Sequence, residues 1–138
     1  MDENECLFCK IAKGEIPSKK VFEDKETIAF LDINPANPGH TLVMPKAHFE
    51  NIFDVGEEEL RKTMTVVKDI ATKLKDNMSA AGVNVVQNNG RHAGQIVSHI
   101  HFHVIPRFPS DNVIITYKRV QMEEKDLDEI VKRLTGAA

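Results

Sequence analysis

Three histidines alternate with apolar residues over residues 98–105, and this alternation constrains the fold more than any other part of the chain. The histidines are His99, His101 and His103, and they alternate with Ile100, Phe102 and Val104. Successive side chains of a β-strand point to opposite faces, so the pattern predicts a strand with imidazoles on one face and apolar side chains in the core. A solvent-exposed face would normally carry Lys, Glu or Thr instead.

Three neighbouring imidazoles on one strand need a functional explanation. Each imidazole titrates near neutrality, and each buried ring must find hydrogen-bond partners. Imidazole is a common metal ligand, and it can also attack an anionic substrate as a nucleophile. The stretch therefore indicates either a metal site or a nucleophile with its supporting groups.

Length and composition favour a single globular domain. The chain has 138 residues, of which 41% are hydrophobic and 28% are charged, and no apolar run is long enough to span a membrane. A net charge of −3 argues against binding to a nucleic-acid polymer, although a local pocket for one phosphate group fits this charge. We expect neither a nucleic-acid partner nor a membrane partner.

The N-terminal region carries two signals about compartment. The first five residues are acidic at three positions and no apolar export segment follows them, which predicts a cytoplasmic protein. Cys6 and Cys9 are the only cysteines, and in a reducing compartment their spacing favours a metal clip or a redox pair over a structural disulfide. The alternative is that both are small apolar residues on a helix.

The pattern of helices and strands predicts an α+β domain with a mainly antiparallel sheet. In chain order, the sequence predicts a short helix over residues 6–14, strands over 20–23, 27–31, 40–44 and 83–87, the histidine strand ending near Pro106, and a C-terminal helix closed by Gly136. Residues 113–117 fit either a short strand or a packed extension. The C-terminal helix carries Leu127, Ile130, Val131 and Leu134 at helical spacing.

A long helix is predicted between the third and fourth strands. Asp54 and Glu57 resemble an N-terminal capping arrangement, and the helical pattern runs to about Lys75. The apolar stripe that should face the core consists of Leu60, Met64, Val67, Ala71 and Leu74.

Several segments together resemble the histidine triad (HIT) family, and within it the Hint-like branch. They are residues 38–46 (PGHTLVMPK), 88–90 (NNG), Gly94-Gln95 and 99–107 (HIHFHVIPR), with further likeness at Ile16-Pro17, 22–24 and 29–33. The resemblance runs from Cys6 to Arg107. It implies a HIT-like fold with a five-stranded sheet, one long helix and shorter terminal helices. It also implies one domain over residues 1–138, with a core at about 6–107 and an extension at 108–138.

The resemblance implies a nucleotide hydrolase or nucleotidyl transferase that acts on a purine nucleoside phosphoramidate or a dinucleoside polyphosphate. It makes His101 the nucleophile of a covalent nucleotidyl-histidine intermediate, with His99, His103 and His40 in support. Asp32 and Ile33 would line the ribose and base pocket, and Asn88 and Gln95 would contact the phosphate or the leaving group. It further implies a homodimer in which two sheets join.

The cysteines would form a structural zinc site with two further ligands. A tetrahedral site of sulfur and nitrogen ligands makes His48 and His99 the candidates, and some bacterial members that this chain resembles have such a site at matching positions. His99 would then serve both the metal and the triad, by orienting His101 through its second nitrogen or its backbone carbonyl.

Two other functions compete with hydrolysis. Many HIT members have Ser or Thr directly after the Gly-Gln pair, whereas this chain has Ile96, so a nucleotide-binding module with little turnover is an alternative. A metalloenzyme with His99, His101 and His103 as ligands ranks last. Alternate residues on a strand lie about 6.5–7 Å apart, which is too far for three of them to bind one ion easily.

Overall fold

The computed structural model describes residues 3–136 of the chain; Met1, Asp2, Ala137 and Ala138, including part of the acidic N-terminal segment, lie outside the described residues. The strands are β1 (Lys20–Glu23), β2 (Thr27–Leu31), β3 (Thr41–Pro45), β4 (Gly82–Val86) and β5 (Phe102–Arg107). The α-helices are α1 (Leu7–Ala12), α2 (Glu57–Met78) and α3 (Glu124–Thr135), and short 3-10 turns span Glu3–Glu5 and Arg91–Ala93.

The five strands form one sheet in the order β1-β2-β3-β5-β4, and all neighbouring strands are antiparallel. The predicted α+β fold with a five-stranded antiparallel sheet, one long helix and shorter terminal helices is confirmed. β1 and β2 have the predicted bounds, whereas β3 and β4 are each shifted by one residue from the predicted strands.

The two faces of the sheet support two hydrophobic clusters, as alternation along the strands requires. Val43 of β3 and Val104 of β5 pack with α2 on one face, in a cluster completed by Ala29, Val66, Val67, Ile70, Leu74, Ile100 and Phe102. Leu42 and Met44 of β3 face the other way and pack with α1, in a cluster with Cys6, Phe8, Cys9, Ile11, Ile28 and Phe30. Because Phe102 and Val104 face α2, His103 between them faces the α1 side.

Helix α2 differs from its prediction at its start and at one position of its apolar stripe. Val67 and Leu74 are buried as predicted, and Leu60 and Ala71 pack against the same cluster, but Met64 is exposed. The predicted cap is wrong: Gly56 is the N-cap, and the Asp54 carboxylate instead accepts hydrogen bonds from the backbone N–H groups of Glu50 and Asn51. The helix also extends one turn beyond Lys75. Its buried residues are Thr63, Val66, Val67, Ile70 and Leu74, while Met64 is 40% exposed.

Strand β5 begins later than the alternation predicts, at Phe102 rather than near residue 98. The backbone before it bonds to the loop after β3 instead of to a neighbouring strand: Ile100 N–H donates to the Phe49 carbonyl over 2.8 Å. The strand prediction for residues 98–101 is therefore wrong, because the backbone there bonds to a loop through Ile100 and not to a neighbouring strand.

The chain after β5 leaves the sheet. The Arg107 guanidinium binds the Asp111 carboxylate through Nε and Nη2, both over 2.9 Å, and donates to the Val113 carbonyl. Residues 113–117 are neither a strand nor a packed extension, since Ile114 and Tyr117 are exposed. Helix α3 forms as predicted and ends before Gly136, but none of its residues is buried. No helix within residues 3–136 has the length and apolarity needed to cross a membrane.

Candidate functional site

A cavity of about 570 Å³ lies between the α1 side of the sheet and the loops that surround it. Phe30 of β2, Leu42 of β3 and His103 of β5 are successive partners across the sheet, so they form one row along its floor. The apolar wall consists of Leu7, Phe8, Ile11, Ile16, Pro17, Leu31 and Val97, and the polar lining includes Asp32, Asn34, Asn88, His101 and His103. The volume is in the usual range for a small-molecule site.

His101 lines this cavity with one ring nitrogen already assigned. Its Nδ1 donates a hydrogen bond to the His99 carbonyl over 2.7 Å, so the neutral ring keeps a lone pair on Nε2. Burial lowers the pKa of His101 from its ordinary value, and this effect outweighs the opposing influences of the hydrogen bond to the His99 carbonyl and of the Asp32 carboxylate. At neutral pH the imidazole is therefore uncharged, as a nucleophile must be.

His103 and His40 form a hydrogen-bonded pair beside His101. The Ala36 N–H donates to His40 Nδ1 over 3.0 Å, which places the proton of the neutral ring on Nε2. His40 Nε2 is 2.9 Å from His103 Nδ1 and donates to it, so His103 carries its own proton on Nε2. Burial lowers the pKa of both rings. His103 thus presents an N–H donor to the cavity, while His40 does not line the cavity and holds His103 in this tautomer.

Asp32 lies close to the His40–His103 pair, and ligand atoms of the three residues lie within 4.8 Å of one another. The Asp32 carboxylate is 3.6 Å from His40 Nε2. The Ala36 hydrogen bond keeps a proton on that nitrogen, so it has no lone pair for a metal ion. The arrangement therefore fits a hydrogen-bonded cluster better than a metal site.

The predicted nucleotide-binding residues fall into two groups. Asp32 and Asn88 line the cavity, and Ile33 lies at its mouth with 88% of its surface exposed. Gln95 does not line it. Its side chain accepts from the Gly90 N–H and donates to the carbonyls of Glu50 and Val97, which ties three parts of the surrounding loops together.

His99 points away from the cavity and toward the cysteines. Its Nδ1 is 3.5 Å from Cys6 Sγ and 3.5 Å from Cys9 Sγ, and His48 Nδ1 is 3.2 Å from Cys9 Sγ. The three histidines share the α1 side, as predicted, because Ile100, Phe102 and Val104 face α2 and His99 contacts Phe8 and the cysteines. Only His101 and His103 line the cavity. The metalloenzyme with all three as ligands finds no support, because His99 does not converge with the other two rings.

The four residues Cys6, Cys9, His48 and His99 fit a closed tetrahedral metal site. Their ligand atoms lie within 4.8 Å of one another, and two sulfur plus two nitrogen donors are a zinc set. His99 Nε2 donates to the Pro45 carbonyl over 2.8 Å, which leaves the Nδ1 lone pair toward the sulfurs. Burial and the Cys6 thiol raise the pKa of Cys9 to about 12, so this thiol would ionise only with a cation beside it.

Some cavity residues were not singled out by the sequence. Phe8 contacts His101 edge-on with ring centroids 4.9 Å apart, yet in the sequence it is only an apolar helix residue. Ser18 and Asn34 also line the cavity, and Ser18 follows the Ile16-Pro17 pair that contributed to the family resemblance. Its position directly after this pair is the one sequence feature that could have indicated Ser18.

A model of the HIT domain matches residues 13–110. The chain belongs to the HIT family. It is 47% identical to a HIT-like protein of Methanocaldococcus jannaschii over 131 residues, which cover 95% of this chain and 99% of that protein. It is 44% identical to the adenosine 5'-monophosphoramidase of Candida albicans over 106 residues, covering 74% of this chain and 70% of the relative.

Solved structures of the HIT family have the same fold. A HIT family protein from Bacillus subtilis superposes with a TM-score of 0.90 at 39% identity and covers 97% of both chains. A zinc-bound histidine triad protein from Mycobacterium smegmatis superposes with a TM-score of 0.77 at 33% identity, covering 99% of this chain and all of that one.

Proposed function

We propose that this HIT protein is a nucleotide hydrolase or nucleotidyl transferase that cleaves a nucleoside 5'-phosphoryl bond through a nucleotidyl-His101 intermediate. The substrate would be a purine nucleoside phosphoramidate or a dinucleoside polyphosphate, with a nucleotide of AMP or GMP type as product. The observation that carries the proposal is the free Nε2 of His101 at a cavity of nucleotide size, with Nδ1 tied to the His99 carbonyl. Membership of a family that includes adenosine 5'-monophosphoramidases supports nucleotide hydrolysis in general.

The reaction would proceed by two displacements at phosphorus. In the first, His101 Nε2 forms a bond to phosphorus, the bond to the leaving group breaks, and the leaving group takes up a proton from solvent. In the second, water attacks phosphorus and gives a proton to solvent, the bond between phosphorus and His101 breaks, and the nucleoside monophosphate leaves. Splitting the displacement into these two steps lowers each barrier.

The supporting residues would act by position and charge, which dominate phosphoryl transfer. His103 would donate its Nε2 proton to a phosphoryl oxygen, and His40 would hold His103 in the tautomer that can donate. Asp32 and Ile33 would bind the ribose and base, and Asn88 would contact the phosphate. A contact of Gln95 with the phosphate or leaving group stays a prediction, beside its bonds to the loop backbone.

The decisive test is removal of the nucleophile. His101→Ala should abolish release of AMP from adenosine phosphoramidate, and mass spectrometry of acid-quenched unaltered protein should detect the nucleotidyl adduct. His92→Ala is the matched control, because His92 is an exposed loop histidine. Unchanged turnover in His101→Ala would eliminate the proposed mechanism.

A nucleotide-binding module with little turnover is the second candidate, and Ile96 favours it. This side chain lines the cavity with 93% of its surface exposed and offers no polar group to a leaving group. Tight AMP binding without turnover or adduct, across a panel of phosphoramidates and dinucleoside polyphosphates, would establish this function instead.

We further propose that Cys6, Cys9, His48 and His99 hold a structural zinc ion. Bound zinc would supply a closed, charged cross-link between α1, the loop after β3 and the segment before β5. His99 would join this centre to the nucleophile, since its carbonyl accepts from His101 Nδ1. Near-stoichiometric zinc in protein purified without added metal, together with a lower melting temperature of Cys6→Ala, is expected. Absence of both would reject the zinc site.

The family resemblance supports a homodimer. We propose a cytoplasmic homodimer in which two sheets join through edge strands, of which β1 and β4 are the two in this sheet. Light scattering on the purified protein should give twice the chain mass of 15.5 kDa. A mass of one chain at micromolar concentration would contradict the dimer.

A further inference from the structure

The side-chain amide of Asn37 ties the loop between β2 and β3 to the chain at and beyond the end of β5. Its Nδ2 donates to the Pro106 carbonyl over 2.9 Å and to the Asp111 carboxylate over 3.0 Å. Both protons of the amide are used in these bonds, and Asn37 does not line the cavity. Any influence of Asn37 on the reaction must therefore pass through another residue.

The two acceptors of this amide are themselves held in place. Pro106 belongs to β5, which pairs with β3 and β4. The Asp111 carboxylate accepts from Arg107 Nε and Nη2 and from the Phe108 N–H. The Arg107 guanidinium holds the pKa of the Asp111 carboxyl well below its ordinary value, so the carboxylate is charged at neutral pH. Since a charged acceptor makes a stronger hydrogen bond than a neutral one, Asn37 is anchored to the end of the sheet.

The backbone around Asn37 sets the tautomer of His40. The Asn37 carbonyl accepts from the His40 N–H over 3.1 Å, and the N–H of the preceding Ala36 donates to His40 Nδ1 over 3.0 Å. The bond from Ala36 keeps the His40 proton on Nε2, which donates it to His103. Because Ala36 is joined directly to Asn37, anchoring the Asn37 side chain restrains the Ala36 N–H.

We propose that Asn37 is a positioning residue, which holds the Ala36 N–H on His40 and thereby keeps His103 in the tautomer that donates. Without this restraint, His40 can carry its proton on Nδ1 and accept at Nε2 from His103 Nδ1. His103 Nε2 then has a lone pair and has no proton for a phosphoryl oxygen. The effect on turnover rests on the proposed function, whereas the effect on the tautomers concerns the protein without substrate.

Asp32, on the same loop, is held by contacts that do not involve Asn37. Its N–H donates to the His40 carbonyl over 3.0 Å, and its carboxylate accepts from the Asn34 N–H over 2.8 Å. Loss of the Asn37 amide should therefore leave the proposed ribose contact of Asp32 in place. We expect an effect on kcat with little effect on KM.

The first test is 15N NMR of the histidine rings in the unaltered protein, Asn37→Ala and Asn37→Asp at about pH 8, where neutral rings dominate. Asn37→Asp keeps the shape of the side chain but has no donor. Nδ1 of His40 and of His103 should be free of protons in the unaltered protein and partly protonated in both variants. His101 is the internal reference, since its Nδ1 proton is held by the His99 carbonyl and should stay there.

The second test is a double-mutant cycle with His40. Asn37→Ala should lower kcat for adenosine phosphoramidate about threefold to tenfold, the usual effect of losing one hydrogen bond, with KM within about twofold. In a His40→Ala protein the same substitution should not lower kcat further, because Asn37 acts through His40. Asn84→Ala is the matched control: it removes an amide that bonds Arg107 and not the loop, so tautomers and kcat should be unchanged.

Three results would overturn the role of Asn37 and leave the proposed function standing. They are unchanged tautomers in both variants, a loss of kcat that is as large in the His40→Ala protein as in the unaltered one, and a rise in KM without a change in kcat. If the unaltered protein does not turn over phosphoramidates or dinucleoside polyphosphates, the proposed function falls. The NMR measurement then decides the positioning role of Asn37 by itself.

Discussion

Backbone groups decide what each histidine of this site can do. The His99 carbonyl accepts a hydrogen bond from His101 Nδ1, and the Pro45 carbonyl accepts one from His99 Nε2. The Ala36 N–H donates a hydrogen bond to His40 Nδ1. The rings are chemically alike, yet His101 presents a lone pair to the cavity, His103 presents a proton, and His99 presents a lone pair to the cysteine sulfurs. Residue identity supplies the imidazoles, and the backbone assigns their tautomers.

His40 allows this assignment to be tested. It does not line the cavity, but its Nε2 proton keeps His103 in the donating tautomer. His40→Ala should lower kcat for adenosine phosphoramidate about 10-fold to 100-fold, the usual effect of removing a group that orients a functional histidine, and change KM little. Steady-state kinetics beside His92→Ala provide the measurement. A KM effect without a kcat effect would contradict this role.

Acid should destabilise the metal-free protein through its buried histidines. Burial lowers the pKa of His99 to about 4, so below the unfolded value near 6.5 the unfolded chain binds a proton that the folded protein does not. The free energy of unfolding should fall as the pH drops from about 6.5 to about 4, by on the order of 3 kcal/mol from His99. His101, His103 and His40 have lowered pKa values and add to the loss.

Urea unfolding of chelator-treated protein across this pH range measures the effect. His92→Ala should follow the same curve, since His92 is exposed. A free energy of unfolding that is flat between pH 7 and pH 5 would show that these rings are not buried in the neutral form.

Part of this site was predictable from residue types alone. The alternation of histidines indicated a nucleophile or a metal site, and the cysteine spacing with the tetrahedral rule indicated His48 and His99. The division of labour within the triad was not predictable, because His99 is turned by a hydrogen bond to Pro45, which is 54 residues away in sequence. Asn37 was missed for a similar reason: its amide bonds Pro106 and Asp111, which are 69 and 74 residues away.

At the scale of elements, the loop after β2 packs against the C-terminal end of α2 at Gly39. Its φ is +98°, and a Cβ added there would lie 3.0 Å from Met78 Sδ and 3.1 Å from Leu74 Cδ2. Gly14 also has a positive φ, +79°, but open space around it. Gly14→Ala should cost about 1–2 kcal/mol from backbone strain. Gly39→Ala should cost about 1–3 kcal/mol more from overpacking.

Unfolding free energies of the two alanine variants in urea test this difference. Both substitutions carry the strain of a left-handed backbone, so the comparison isolates packing against α2. Equal losses in the two variants would mean that the end of α2 moves aside without cost.

The sequence pattern predicted correctly those elements whose structure is determined by residues close together in the sequence. β-branched and aromatic residues predicted the bounds of β1 and β2 correctly. In β2, Ile28 and Phe30 belong to one buried cluster and Ala29 to the other. The prediction was wrong where other contacts decide the structure: Ile100 bonds to the loop after β3, and Asp54 accepts from the Glu50 and Asn51 N–H groups instead of capping α2. Helical spacing likewise could not show that the core contacts Val66 and Ile70 and leaves Met64 exposed.

For the molecule as a whole, the described chain divides unevenly between core and extension. Both hydrophobic clusters draw all their buried residues from positions 6–104, and the Arg107–Asp111 contact fixes the chain where it leaves the sheet. Beyond this contact Ile114, Tyr117 and Val120 are exposed, and α3 has no buried residue. We propose that residues 1–138 form a single domain, with a core at about residues 6–107 and an extension at 108–138.

A chain ended after Gln121 tests this division, since it keeps the Arg107–Asp111 contact and removes α3. Because none of the residues of α3 is buried, its loss should change the free energy of unfolding by no more than about 0.5 kcal/mol and leave the urea m-value nearly unchanged. The dimer mass should also be retained if edge strands join the two sheets. The measurement is urea unfolding and light scattering at several protein concentrations. A concentration-dependent loss of stability with a reduced mass would show instead that the stripe of Leu127, Ile130, Val131 and Leu134 is buried against a second copy.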